Sequence, residues 1–448
     1  MASRDAEDIL GIVETEHGNF NAVNAATACS RLAKTLRGSA RCSDVDLRVR
    51  QLYSTVMRVS WSMKAQEVAN TLWALATLGW QVGESAMRSA LEGAAVRVAP
   101  SMNAQNAANT LWALATLGWQ VAERTTRGAL EGAAVRVAPS MNAQNVTNTL
   151  WALATLGWQV GDGAMRCALE AAVVRAAPSM NAQNVANTLW GLATLRWLPS
   201  EGAMRCALEV AIVGVSSSMN AQAVANILWA LAMLGWQPGE EAMRGALEGA
   251  AVRISSKMNS LDVANTLWAL AALGWQASAE LADLVRSLVS DGKVVRLSAR
   301  ELSQLLMAHC ASQFLCLGSI VLPPAVHQMA LDAFKEAASK ATVSTGQREV
   351  GESLRRLCMS HELEHSTAGG LFRIDLAIVD QRIAIEFDGP SHFTTNTLEP
   401  LGHTRLRDRL LSAMGWRVVS IPFFEWDRRH ETEQKDAYVE QKVRLALA

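Results

Sequence analysis

The chain has 448 residues, half of them hydrophobic, and its 41 Lys and Arg against 42 Asp and Glu leave a formal net charge of −1. This length allows two or more domains, and the near-neutral balance without a basic run excludes binding of nucleic acid through bulk charge. Seven scattered cysteines without a Cys-x-x-Cys pair read as reduced thiols, and no apolar run reaches the ~18 residues needed to cross a membrane.

Residues 1–19 resemble neither a signal peptide nor an arginine-rich transit peptide and are expected to form a poorly ordered lead. From Phe20 a degenerate repeat begins, with Phe20 in the place of Met63 and Leu32 in that of Leu75. The phrase NTLWALATLGW then stands at 70–80, 109–119 and 148–158, and in altered form at 187–197, 226–236 and 265–275. Its first tryptophans, Trp73, Trp112, Trp151, Trp190, Trp229 and Trp268, are 39 residues apart throughout. A fixed period of this size is the mark of a solenoid.

Each copy reads as two helices. Helix A covers about 64–78 and stops at Gly79; helix B covers about 84–98 and breaks near Pro100. A Gln-Val-Gly turn at 81–83 joins them. Asn103, Asn142, Asn181, Asn220 and Asn259 stand where an A helix needs its N-cap. On B helices Arg88 with Glu92, and Arg127 with Glu131, are four apart and suit ion pairs.

On a helical wheel Val68, Leu72, Leu75 and Ala76 form an apolar stripe flanked by Trp73 and Trp80. Gln66, Glu67, Asn70, Ala74 and Thr77 form a weakly charged stripe on the other side, a surface to offer a ligand. Both tryptophan columns are expected in the core between repeats. The 39-residue register continues through Leu297, Gln304 and Met307, and a last helix starts at Pro323-Pro324. The fold expected for 20–340 is an α-solenoid of six regular units between two degenerate capping units.

This helix pair resembles the octotricopeptide repeats of organellar RNA-binding proteins, which share an LWALAKLG-like core. Their proline-rich turn is matched only at Pro199, Pro238 and Pro323-Pro324.

From 345 to 448 the pattern changes to a small α/β domain. A helix at 347–358 precedes strands at 373–380 and 382–389, a helix near 404–414, a strand at 416–422, and helices to the end; a further short strand fits 362–365. The segments IAIEFDGPSHF, GHTRLRDRLL and GWRVVSIPFFEW, in that order, resemble the RAP domain, the RNA-binding domain abundant in apicomplexans. The same domain ends the relatives of the Fas-activated serine/threonine kinase that act in organellar RNA metabolism. No kinase motif is present. The resemblance implies a fold similar to restriction nucleases of the PD-(D/E)xK class.

Alternation puts Glu386 and Asp388 on one face of their strand, and Asp375 on the preceding strand can lie beside them. Three converging carboxylates would hold Mg²⁺ or Mn²⁺ for phosphodiester hydrolysis, with His392 near and Glu352 able to join. The lysine that the nuclease class places two residues after its glutamate is Asp388 here, and Arg373 or His392 would have to replace it.

A base-reading code must sit where repeats differ. The clearest such column is Glu67, Asn106, Asn145, Asn184, Ala223 and Asp262, able to read one base per repeat; the same position also caps helices. The constant column Asn70, Asn109, Asn148, Asn187, Asn226 and Asn265 suits a structural ladder with general contacts to RNA. The leading expectation is a single-stranded-RNA-binding protein of mitochondrial or plastid RNA processing, mRNA stability or translation. It needs no cofactor to bind, can work with other RNA-processing proteins, and has no membrane partner. A metal-dependent endoribonuclease and a protein-binding scaffold are the alternatives.

Overall fold

The computed structural model describes residues 5–36, 46–80, 85–119, 124–161, 163–199, 202–239, 241–284, 297–318, 320–339 and 342–447. The Gln-Val-Gly turn at 81–83 lies outside them. The chain forms two compact units, one of residues 1–195 with 199–215, the other of 196–198 with 216–448.

The first unit opens with α1 (Ala6–Glu16). The poorly ordered lead expected for 1–19 is thus corrected over these residues. Asp5 caps α1 by accepting from the Asp8 N–H at 2.9 Å, and Ile9, Leu10 and Val13 are buried, so the segment has one apolar stripe to dock. It packs against α2 (Ala22–Thr35) and α3 (Leu47–Val59), the two helices of the degenerate copy. Regular pairs follow: α4 (Ala65–Leu78) with α5 (Ser85–Val98), α6 (Ala104–Thr116) with α7 (Arg124–Val137), α8 (Ala143–Leu156) with α9 (Ala164–Ala176), and α10 (Ala182–Thr194) with α11 (Ala203–Val215). A helices pack on A helices and B helices on B helices in sequence order.

Local chemistry makes each copy alike. Gly79, Gly118 and Gly157 end their A helices at φ +64 to +68°, a left-handed conformation that penalises a Cβ. The N–H of Gly79 then reaches the Ala76 carbonyl at 3.2 Å and that of Trp80 the Leu75 carbonyl at 3.1 Å. This Schellman-type closure explains the Gly-Trp pair: glycine makes the turn and the tryptophan behind it is carried into the core.

A column that the sequence reading overlooked ties repeats together. Arg97 donates to the carbonyls of Ser60 and Met63 at 3.1 and 2.8 Å. Arg136 does the same to Ala99 and Met102 at 3.0 and 2.8 Å, and Arg175 reaches Ala138 at 2.7 Å. Arg58 makes the equivalent bonds to His17 and Phe20, so the degenerate copy obeys the same rule. Each guanidinium satisfies carbonyls that the tight turn before an A helix leaves open.

The second unit holds α12 (Ala221–Leu234), α13 (Glu241–Ile254), α14 (Ser260–Leu273), α15 (Ala279–Ala282), α16 (Ala299–Leu315) and α17 (Pro324–Ser339). Then come α18 (Thr345–Arg356), β1 (Glu362–Ser366), β2 (Arg373–Ile378), β3 (Ile383–Asp388), α19 (Gly402–Ala413), β4 (Arg417–Pro422), α20 (Phe423–Trp426) and α21 (Thr432–Leu447). The sheet order is β1-β2-β3-β4, antiparallel until β3 and β4, which are parallel and joined across α19. Alternation sorts the two faces. Leu376, Ile378, Ile383, Ile385, Val419 and Ile421 face a core completed by α18, α20 and α21. The opposite positions include Asp375, Glu386 and Asp388.

Candidate nucleic-acid interface

In the first unit a groove of ≈ 480 Å³ crosses five successive A helices. It is lined by Ser30 and Lys34 of α2, Asn70 and Trp73 of α4, Gln105 and Asn109 of α6, Gln144 and Asn148 of α8, and Gln183 of α10. Amides alternate along it at i and i+4, and Gln144 donates to Asn148 at 2.7 Å. Its one charged lining residue is a lysine. Trp112, Trp151 and Trp190 form a half-buried ladder on the same helices, with ring centroids 6.5 and 6.4 Å apart and planes tilted by 34° and 31°. This corrects, for the first unit, the expectation that both tryptophan columns are core: Trp80, Trp119 and Trp158 are buried, whereas Trp73, Trp112, Trp151 and Trp190 keep part of each indole exposed.

The column expected to read bases lies elsewhere. Asn106, Asn145, Asn184 and Asp262 are buried, and each forms a capping box with the Asn three residues before it. Asn145 donates its N–H to Asn142 Oδ1 at 2.9 Å, while its own Oδ1 accepts from the Asn142 N–H at 3.3 Å. Glu67 accepts from the Lys64 N–H at 2.8 Å, and Ala223 is buried. Helix ends carry unsatisfied N–H groups, and this position is the nearest acceptor. The exposed residue is one step earlier, in the glutamine column of Gln66, Gln105, Gln144 and Gln183.

The constant asparagines divide by unit. Asn70, Asn109 and Asn148 line the groove, and Asn187 is half-buried. In the second unit Asn226 is half-buried, and Asn265 is buried and accepts from Gln304 Nε2 at 2.9 Å, a rung of the expected structural ladder.

There the A-helix surface is covered by α19, which packs on α12, α14 and α16. Its residues at 402, 405 and 409 share a face. A Cβ on Gly402 would stand 1.8 Å from the Ala232 carbonyl oxygen, so only glycine permits this approach. Arg405 lies beside Gly235, and Arg409 donates to the Ala271 and Ala272 carbonyls at 3.3 and 3.2 Å, at the negative end of α14. Trp229 and Trp268 are buried in this unit, with the Arg300 guanidinium 5.5 Å from the Trp229 ring. Arg196 replaces the usual glycine, at φ +54°, and donates to the Pro390 carbonyl. Asn396 completes the contact by bonding the Leu198 N–H and carbonyl at 3.1 and 2.6 Å. The repeat's Gly-to-Arg exception was the legible signal for this contact.

On the other face of α19, Arg407 donates to Glu386 Oε1 at 2.8 Å and to the Arg373 carbonyl. Asp375 accepts from the Phe387 N–H at 2.9 Å. Asp388 accepts from Ser420 and pairs with His392 Nδ1 at 3.1 Å. Burial pushes the Glu386 carboxyl well above the usual range; Arg407 opposes this and Asp375, Asp388 and Asp408 add to it. Burial likewise raises Asp375, the Phe387 N–H and Arg407 opposing. Asp408 is raised to about 6, first by burial and then by Asp388. His403 is lowered to about 4, chiefly by burial.

The three carboxylates expected on one face do come together, each with a hydrogen-bond donor of its own. Among the described residues no group of three or more His, Cys, Asp or Glu is arranged to hold a metal ion. Each acid is directed to its own donor, and Arg407 is the positive charge beside Glu386. Glu352 is exposed and interacts with Arg356. Arg373 pairs with Glu364 at 3.1 Å, and His392 stands at Asp388 rather than at Glu386.

Comparison with known proteins matches the RAP domain family to residues 385–442. The N-terminal domain of the Tbc2 translation factor matches 178–318, and a family described as a protein of unknown function matches 50–72, 93–111 and 133–150. A RAP domain-containing protein, chloroplastic, of Oryza sativa subsp. japonica is 41% identical over 85 residues, 19% of this chain and 13% of that relative. The matched part is thus a small share of the relative's length. Sheet, crossover helix and matched residues agree: the chain ends in a RAP domain, which follows an array of helical repeats.

Proposed function

We propose that this protein binds single-stranded RNA in an organelle, a chloroplast by analogy with the chloroplastic relative, and acts there in RNA processing, stability or translation. The observation that carries this reading is the groove of the first unit, where amides at regular spacing stand beside a half-exposed tryptophan ladder. Amides offer both donors and acceptors to base edges, and indoles offer faces on which bases stack. The likeness of the C-terminal domain to RAP proteins supports the same class of ligand. No helix among the described residues is long and apolar enough to cross a membrane.

With one lysine in the groove, contacts are mostly uncharged and binding falls gently with salt. Binding needs no divalent cation, and other RNA-processing proteins act on the bound strand. Selection from a random RNA pool by the purified full chain, at several salt concentrations and with a chelator, tests the reading. An enriched motif that outcompetes random RNA and DNA is expected. No enrichment, or capture of protein that survives ribonuclease, would overturn it in favour of a protein-binding scaffold.

A further inference from the structure

The second unit contains a cavity of ≈ 350 Å³ that the groove reading does not use. Trp268 and Met307 line it from the repeat helices and Phe334 from α17; Phe372, Asp375, His403 and Arg407 line it from the RAP domain. Its size lies at the lower end of the ~300–1,000 Å³ common for small-molecule sites. Phe334 and Phe372 meet edge to face, with centroids 6.1 Å apart, and with Trp268 they supply flat apolar walls.

Between these walls stand groups with hydrogen-bonding capacity to spare. His403 Nδ1 and Arg407 Nε are buried and have no hydrogen-bond partner, an arrangement that costs stability unless a ligand completes it. Asp375 accepts from the Phe387 N–H at 2.9 Å and is hydrogen-bonded by Gln347, which also lines the cavity, so a ligand here would share an acceptor already in use. The polar groups are mixed in sign: Arg373 with Glu364, and Arg407 with Asp375. A phosphate would meet two carboxylates here. A neutral planar ring with donors and acceptors on its edge meets matching groups on both sides.

We infer that this cavity is a nucleobase pocket, which takes one unstacked base between the aromatic walls and reads its edge with Asp375, Arg407 and His403. The inference deepens the RNA-binding proposal and rests on it for the source of the base; a free nucleotide carries the same chemistry.

The test uses the full chain and the four ribonucleosides, followed by saturation-transfer NMR, with ribose 5-phosphate as the control lacking a base. At least one nucleoside is expected to bind at millimolar concentration or below, and ribose 5-phosphate is expected not to. Met307→Trp fills the cavity and should weaken that binding by at least ~10-fold, while His403→Gln should weaken it by ~3–10-fold, the range of one hydrogen bond. Circular dichroism checks that both variants fold. No binding by any nucleoside, or binding that both variants leave intact, overturns the pocket. An oligonucleotide arm separates the sources: an affinity reduced by Met307→Trp assigns the pocket to an RNA base, and an unchanged affinity assigns it to a free nucleotide. Failure of every oligonucleotide to bind while nucleosides still do would sink the groove reading and leave the pocket standing.

Discussion

Replacing Asp408 by asparagine should stabilise the second unit near neutral pH and do nothing in acid. The carboxyl is partly buried among Asp388, Arg407 and His392, and its pKa rises from 3.8 to about 6. The folded state therefore binds this proton more tightly than the unfolded chain. Between about pH 3.8 and 6 the folded form holds more protons, so stability falls as pH rises through that window, and above it the whole penalty is present. A shift of this size corresponds to ~3 kcal/mol, or about 2 kcal/mol after allowance for partial solvation. Asp408→Asn removes the charge and keeps the shape. His403 supplies the mirror case. Its pKa falls from 6.5 to about 4, so the folded state favours the neutral ring and stability is lost as pH drops through that interval. In the parent protein the two slopes oppose one another; each single variant exposes the other. Hydrogen exchange of the α19 amides across this pH range reads the local opening energy. If Asp408→Asn gains no more at neutral pH than in acid, the carboxyl is solvated and the reasoning fails.

Three further outcomes follow from the same geometry. Trp151→Ala should weaken RNA binding by about 5- to 150-fold, the equivalent of ~1–3 kcal/mol for one lost base stack, whereas Asn145→Ala, at a buried cap, should reduce stability by about 1 kcal/mol and leave sequence preference unchanged; filter binding and denaturant melts of both variants check this, and a shift in the selected motif with Asn145→Ala would restore the capping column as a reader. Arg136→Met should destabilise the first unit by about 1.5–3 kcal/mol, because two turn carbonyls lose a charged donor; a melting temperature equal to the parent's would refute the clamp. Gly402→Ala should loosen α19 from the repeats, since its methyl meets backbone rather than a movable side chain. The cost is about 1–3 kcal/mol, seen as faster protease cleavage or hydrogen exchange in α19, and unchanged protection would show that the approach is less close than 1.8 Å implies.

The sequence is ambiguous where one residue serves two physical demands. Glu67, Asn106 and their equivalents vary between copies and are polar, which fits a code, but they also sit three residues into a helix, which fits a cap. The open N–H groups at a helix start are closer than any ligand, so the cap prevails. The glutamines one step earlier belong to the stripe expected to meet a ligand, and Gln105, Gln144 and Gln183 do line the groove. The C-terminal carboxylates were placed correctly on one face by alternation. Their partner was hidden because Arg407 arrives from a helix some twenty residues later, and strand periodicity carries no information about what packs above a sheet. The phrase GHTRLRDRLL did contain the answer: its residues at 402, 405 and 409 meet the repeats, and Arg407 turns to the acids.

The sequence by itself determined the period, the helix pairs, their glycine stops and asparagine starts, and the strand faces. All of these follow from interactions between residues a few positions apart, which a linear reading sees. Only the tertiary structure decided that the first tryptophan column stays partly open in the first unit and is buried in the second, where α19 packs on the same A helices. The same phrase is written in both places. Its exposure depends on a helix more than a hundred residues away in the chain, and on whether the backbone of that helix, at Gly402, can come close enough to displace water from it.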